Sequence, residues 1–203
     1  MDFYHNLITE KSWSVLLELR KQYDFILIGG WAVFLYTHSL KSKDIDLVVE
    51  YGELEKLRTK LAIYKNDRLK KYEGKLEEVD IDIYTPFYSN PGITAEEIIN
   101  FRTSIEGFNC VEKEILAILK QKALMERKNS VKGRKDLIDL VGLFQLDEFD
   151  WQRYLNGIKR YGLKESLEFV RKTLEETTRV DELDLNVHKF ARFKRKILPF
   201  IEA

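Results

Sequence analysis

The chain has 203 residues with 34 Lys plus Arg against 34 Asp plus Glu, so bulk charge offers no argument for a nucleic-acid partner. One cysteine, Cys110, excludes an intramolecular disulfide and a cysteine-rich metal site, and three scattered histidines argue against zinc. The composition, 44% hydrophobic and 33% charged, is that of an ordinary globular protein, and no apolar run reaches the roughly 18 residues of a membrane span.

The segment MDFYHNLITEKSWSV carries an early acid and no apolar core of the signal-peptide kind. A soluble, cytoplasmic protein without a membrane partner is therefore expected. Residues 4–22 place Leu7, Ile8, Trp13, Leu16, Leu17 and Leu19 at helical spacing, which predicts a first helix. DFILIGG is a short apolar run ending at Gly29-Gly30, a buried strand that stops at a turn, and WAVFLYTHSL reads as a short helix after it. DIDLVVE is a second strand, and GELEKLRTKLAIY a helix with Leu54, Leu57 and Leu61 on one face. Residues 67–73 and 76–84 read as two strands joined at Gly74, the second containing VDIDIY. TAEE, Thr94 to Glu97, has the form of a capping box that opens a short helix, and RTSIEGFNCV reads as a hairpin around Gly107.

From about residue 111 the texture changes to successive segments of 3.6-residue periodicity. The expected fold class is α+β: a small mixed sheet with flanking helices over residues 1–110, then a helical bundle over 111–203 packed on it. No internal repeat interrupts this division, and with only 3 prolines a flexible proline-rich linker is not expected.

The candidate chemistry lies in four aspartates. Side chains two apart on a strand share a face, so Asp44 and Asp46 are thrown together, and so are Asp80 and Asp82. Like charges this close repel unless something neutralises them. One reading puts Asp44 and Asp46 at an exposed strand end beside Lys41 and Lys43. The other places them around two divalent cations with a third carboxylate from a neighbouring strand, and carboxylate oxygens suit Mg²⁺. Gly29-Gly30 is either a tight turn or a place where phosphate approaches backbone N–H groups at a helix N-terminus.

GGWAV, then DID after thirteen residues between Gly30 and Asp44, then VDIDIY, resembles the signature of the DNA polymerase β-like nucleotidyltransferase superfamily. These motifs span residues 23–85. The segment LKQKALMERKNSVKGRKDLIDL, residues 119–140, is similar to that of a subgroup of small archaeal nucleotidyltransferases and toxin-like AbiEii abortive-infection proteins. Strings like GGWAV and DID also occur in nucleotidyltransferases that modify lincosamide antibiotics. The resemblance implies that Gly29 and Gly30 hold the triphosphate, with Ser42, Lys43 and Lys120 as further nucleotide-binding candidates. It implies that Asp44 and Asp46 bridge two Mg²⁺ ions. Asp80 or Asp82 would complete the second metal site and help deprotonate an acceptor hydroxyl, and Asp80, directly after Val79, matches the subgroup more closely.

The implied reaction moves a nucleoside monophosphate from an NTP to a hydroxyl of RNA, protein or a small molecule. Two other readings stand beside it: a toxin-like enzyme acting on tRNA with a partner antitoxin, and a nucleotide-binding module without turnover. In the helical half, Lys120 and Arg127 lie seven apart with Ala123 between them on one helix face. Lys122, Arg134 and Lys135 read as a solvated surface, and Asp136 and Asp139 as intrahelical partners of Lys135. HKFARFKRKIL reads as an amphipathic docking helix or as a nucleic-acid contact.

Overall fold

The computed structural model describes residues 2–128 and 130–201, with the side chains of residues 2–6 outside the description. The chain divides into two units, Met1–Glu112 and Lys113–Ala203. The first unit opens with helix α1 (Asp2–Gln22), strand β1 (Ile26–Ile28), helix α2 (Gly29–Thr37) and strand β2 (Ile45–Val48). Helix α3 (Tyr51–Arg58) leads into strands β3 (Ile63–Asn66), β4 (Lys71–Leu76) and β5 (Val79–Tyr84). Helix α4 (Ala95–Ile99) and the hairpin β6 (Arg102–Ile105) and β7 (Phe108–Val111) complete it. The sheet order is β3-β4-β5-β2-β1-β7-β6, with β1/β7 and β2/β5 parallel and the remaining pairs antiparallel. This is the α+β class expected.

The apolar run of β1 is short and fully buried because it is an interior strand, flanked by β2 and β7. α1 folds over this part of the sheet through its tryptophan. Trp13 lies 5.0 Å from Trp31 and 5.6 Å from Phe108, centroid to centroid. The buried Trp31 indole N–H donates to Ser12 Oγ at 2.8 Å, so the polar edge of the largest core side chain is satisfied. Leu7 and Ile8, the first apolar pair of the predicted helix face, are exposed.

Two local expectations are corrected. The helix after β2 ends at Arg58, and Ile63–Asn66 leaves it to form the edge strand β3. Gly74 is no turn: it lies inside β4 opposite Ile63, and the reversal comes at Glu77-Glu78, both with positive φ (49° and 72°), closing the Leu76↔Val79 pair. Two left-handed residues are what a two-residue hairpin turn requires, and here glutamates adopt them. The hairpin at Gly107 forms as expected with Glu106 and Gly107 at positive φ. α4 starts at the Thr94 cap, but no side-chain cap hydrogen bond from Thr94 accompanies it.

The second unit contains α5 (Lys113–Arg127), α6 (Val131–Phe144), α7 (Trp151–Arg160), α8 (Lys164–Glu176), a 3₁₀ turn (Asp181–Leu183) and α9 (Val187–Ile201). α6 starts on a Ser130 cap whose hydroxyl accepts from Gly133 N–H, and α7 on Asp150, which accepts from Arg153 N–H. Phe144, Phe149, Trp151 and Tyr154 form one aromatic cluster between α6 and α7. Among the described residues no helix is long and apolar enough to cross a membrane.

Candidate active site

β1 runs straight into α2 at Gly29 with no intervening loop. Gly29 takes φ +68°, in the left-handed region, and a Cβ there would stand 1.9 Å from Asp46 Oδ2 and 2.5 Å from Asp46 Cγ. The missing side chain is therefore the room that the Asp46 carboxylate occupies. The pairing Ile28↔Asp46 across β1 and β2 sets this contact. The glycine turn and the first aspartate motif are one structural feature. Gly30, next in α2, is buried, and the backbone N–H groups of the first turn of this nine-residue helix have no partners within the helix.

The parallel pairing of β2 with β5 sets Asp46 opposite Asp82. Antiparallel pairing of β5 with β4 then sets Asp82 opposite Glu73. Ile45, Leu47, Ile81 and Ile83 alternate with these acids and are fully buried, which fixes the register: a slip of one residue would bury the carboxylates instead. Asp46, Asp80 and Asp82 consequently share one face of the sheet, and Asp44 stands one residue before β2.

Asp82 and Asp80 differ sharply along that face. The Asp80 side chain is 71% exposed and faces Lys75 at 3.4 Å. The Asp82 side chain is 23% exposed, and Lys71 Nζ stands 2.6 Å from its Oδ2 and 3.0 Å from Glu73 Oε1. Burial, with the charges of Glu73 and Asp44 added, pushes the Asp82 carboxyl above its usual range against the opposing pull of Lys71. The Lys71 ammonium, despite burial, is raised by its two carboxylate partners. Lys71 and Glu73 were not anticipated as site residues. Their signal was opposite charge at i and i+2 in KYE, the alternation of a strand facing a charged neighbour.

Asp46, Asp82 and Glu73 face one another across β2, β5 and β4, and with Asp44 they supply only oxygen donors. That chemistry fits a hard divalent cation. Among the described residues no group of three or more acidic, histidine or cysteine side chains is placed to hold a metal ion, and Lys71 supplies the counter-charge at Asp82. Mg²⁺ keeps several waters and shares substrate oxygens, so it does not need a complete protein cage. Ser42 is buried just before the motif and Lys43 is exposed.

Lys120 belongs to the second unit and sits in an ion cluster. Its ammonium lies 3.1 Å from Asp136 Oδ1 and 2.6 Å from Asp139 Oδ2, and Arg127 Nη1 reaches Asp136 Oδ2 at 2.9 Å. Lys120, Asp136 and Asp139 are all buried. The two aspartates thus pair across to α5.

No protein-family model matches the chain, and no curated protein does. Solved structures do resemble it. A crystal structure of JHP933 from Helicobacter pylori matches with a TM-score of 0.52 at 15% identity, covering 97% of this chain and 93% of that one. A provisionally named nucleotidyltransferase from H. pylori matches with a TM-score of 0.55 at 16% identity, covering 97% and 96%. The fold is nucleotidyltransferase-like. At these identities the likeness concerns the fold alone, and the chemistry has to be argued from the residues.

Proposed function

We propose that the protein is an Mg²⁺-dependent nucleotidyltransferase that moves a nucleoside monophosphate from an NTP to an acceptor hydroxyl and releases pyrophosphate. The observation that carries this reading is the joint packing of the Asp46 carboxylate over Gly29 and its register with Asp82, on a nucleotidyltransferase-like fold. Asp44, Asp46 and Asp82 are the residues that would hold Mg²⁺. When bound, it supplies positive charge to the triphosphate as pyrophosphate leaves. Gly29 and Gly30 would let phosphate oxygens approach the backbone, and the N–H groups of the first turn of α2, which have no partner within the helix, would receive them. Asp82, whose carboxyl burial pushes above its usual range, would accept the proton of the acceptor hydroxyl. Catalysis would rest on positioning and charge stabilisation, as in other phosphoryl transfers.

This reading moves the third carboxylate from Asp80 to Asp82. Asp82→Asn should lower label transfer from an α-labelled NTP by on the order of a hundredfold or more, because a base and a metal ligand go together. Asp80→Asn, at a solvent-screened position, should cost less than about threefold. The two rates, each measured on protein with an unchanged melting temperature, decide the matter. The opposite ranking would return the role to Asp80.

The Lys71–Asp82 pair favours one second reading, a nucleotide-binding module without turnover, since an ammonium already stands at the third carboxylate. Such a protein would melt at a higher temperature with Mg²⁺ and NTP yet transfer no label to any acceptor.

A further inference from the structure

A lysine of β4 stands among the acids of the site. Asp46, Asp82 and Glu73 lie opposite one another across β2, β5 and β4. Lys71 precedes Glu73 by two residues on β4, so it shares their face of the sheet. Its Nζ lies 2.6 Å from Asp82 Oδ2 and 3.0 Å from Glu73 Oε1, and only 12% of its side chain is exposed. Glu73 is held in turn from β3, where Asn66 Nδ2 donates to its Oε1 at 3.1 Å. Asn66 is the residue opposite Lys71, so the pairing of the β3–β4 hairpin sets this bridge.

Lys75, on the same strand, shows an ordinary pair for comparison. It lies opposite Asp80 in the β4–β5 register, yet its ammonium is 3.4 Å away and its side chain 62% exposed. A solvated pair of that kind contributes little. At Lys71 two acids hold one ammonium, with most of the screening water excluded. The place differs too. Asp82 is the register partner of Asp46, whose carboxylate fills the room above Gly29. The ammonium approaches the acids from β4, whereas the Gly29 turn lies at the end of β1. Asp46, two strands from Lys71, is roughly 10 Å from it, strand to strand. A divalent cation bound to the same Asp82 oxygen as the ammonium would be repelled by it, strongly where water is excluded. Mg²⁺ also demands short oxygen bonds in near-ideal octahedral geometry, and tolerates a crowded partner poorly.

We infer that Lys71 takes the place of a second divalent cation. The site then holds one Mg²⁺, on the Asp44 and Asp46 side, with Asp82 as the acid shared between that ion and the ammonium. Lys71 is a positioning residue: it fixes the Asp82 carboxylate and balances its charge without touching a reacting atom. The inference rests on the nucleotidyltransferase reading and sets its cation requirement at one, where three carboxylates alone would suit a pair of ions.

The test counts bound Mn²⁺, a paramagnetic substitute for Mg²⁺, by electron paramagnetic resonance on the full chain. Non-hydrolysable α,β-methylene analogues of the four NTPs are supplied in turn, at a concentration equal to the protein and well above half-saturation. Wild type should hold one Mn²⁺ per complex. Lys71→Met, which keeps the bulk and loses the charge, should hold two, and Lys71→Arg, which keeps the charge, should hold one. A lysine that serves only the sheet would leave the count the same in all three. Two Mn²⁺ in the wild type overturn the inference and leave the nucleotidyltransferase reading standing. That count needs no variant, so it decides the matter whether or not Lys71→Met folds. One Mn²⁺ in a folded Lys71→Met overturns the role of Lys71. A wild type that binds neither Mn²⁺ nor any analogue overturns the nucleotidyltransferase reading, and the inference with it.

Discussion

Gly29→Ala should abolish nucleotide transfer and also lower the melting temperature. Its Cβ would fall 1.9 Å from Asp46 Oδ2, well inside any permissible contact, so the carboxylate must leave its place. The backbone adds a second cost, since φ +68° is a left-handed conformation that penalises a side chain by about 1–2 kcal/mol. The expected activity loss is at least a hundredfold, comparable with removing a group that acts directly on the reacting atoms. Measuring transfer rate and denaturant midpoint on the same preparation separates the two effects. An active, fully stable Gly29→Ala variant would show that the Asp46 carboxylate does not need this position.

Lys120→Met should give the largest loss of stability in the second unit. Asp136 and Asp139 are both buried, and among the described residues neither Asp139 oxygen has a well-directed hydrogen bond. The Lys120 ammonium at 2.6 Å is therefore the main compensation for the Asp139 charge. Methionine matches the lysine stem in bulk but leaves that carboxylate buried beside Asp136 with its counter-ion gone. Breaking a buried ion set in this way costs about 3–5 kcal/mol. Arg127 remains for Asp136, so the damage should centre on Asp139. A companion Lys120→Met/Asp139→Leu variant should recover much of the loss by removing the stranded charge. The check is equilibrium unfolding without nucleotide, and a Lys120→Met midpoint equal to wild type would count against a structural role for the cluster.

The parts of this fold legible beforehand were those encoded locally. The apolar ILI run, the glycine pair and the alternation in DIDLVVE place β1, the start of α2 and β2 by short-range rules alone. Helical periodicity beyond residue 111 likewise marks helices α5 to α9. β3 was hidden because LAIY continues the apolar spacing of α3, and only pairing with β4 makes it a strand. The turn at Glu77-Glu78 was hidden because glutamate is not a residue that advertises a positive φ, whereas Gly74 does so without using it. The different settings of Asp80 and Asp82 were not legible at all. Both satisfy the same two-residue period, and the register of β5 against β2, a contact 36 residues apart in the chain, separates them. Lys120 shows the same limit: its spacing from Arg127 describes a helix face, but the partners that bury it come from α6.

The central claim is that Asp44, Asp46 and Asp82 around Gly29 support transfer of a nucleoside monophosphate. The most direct measurement incubates the wild-type protein and Asp46→Asn with each α-labelled NTP, Mg²⁺ and a cell extract holding RNA, protein and small molecules, followed by separation of labelled acceptor from free nucleotide. The account predicts a labelled acceptor with the wild type, release of pyrophosphate in equal amount, and neither with a folded Asp46→Asn variant. Equal labelling by both proteins, or none by a wild-type protein that is folded and supplied with Mg²⁺ and every NTP, would contradict it.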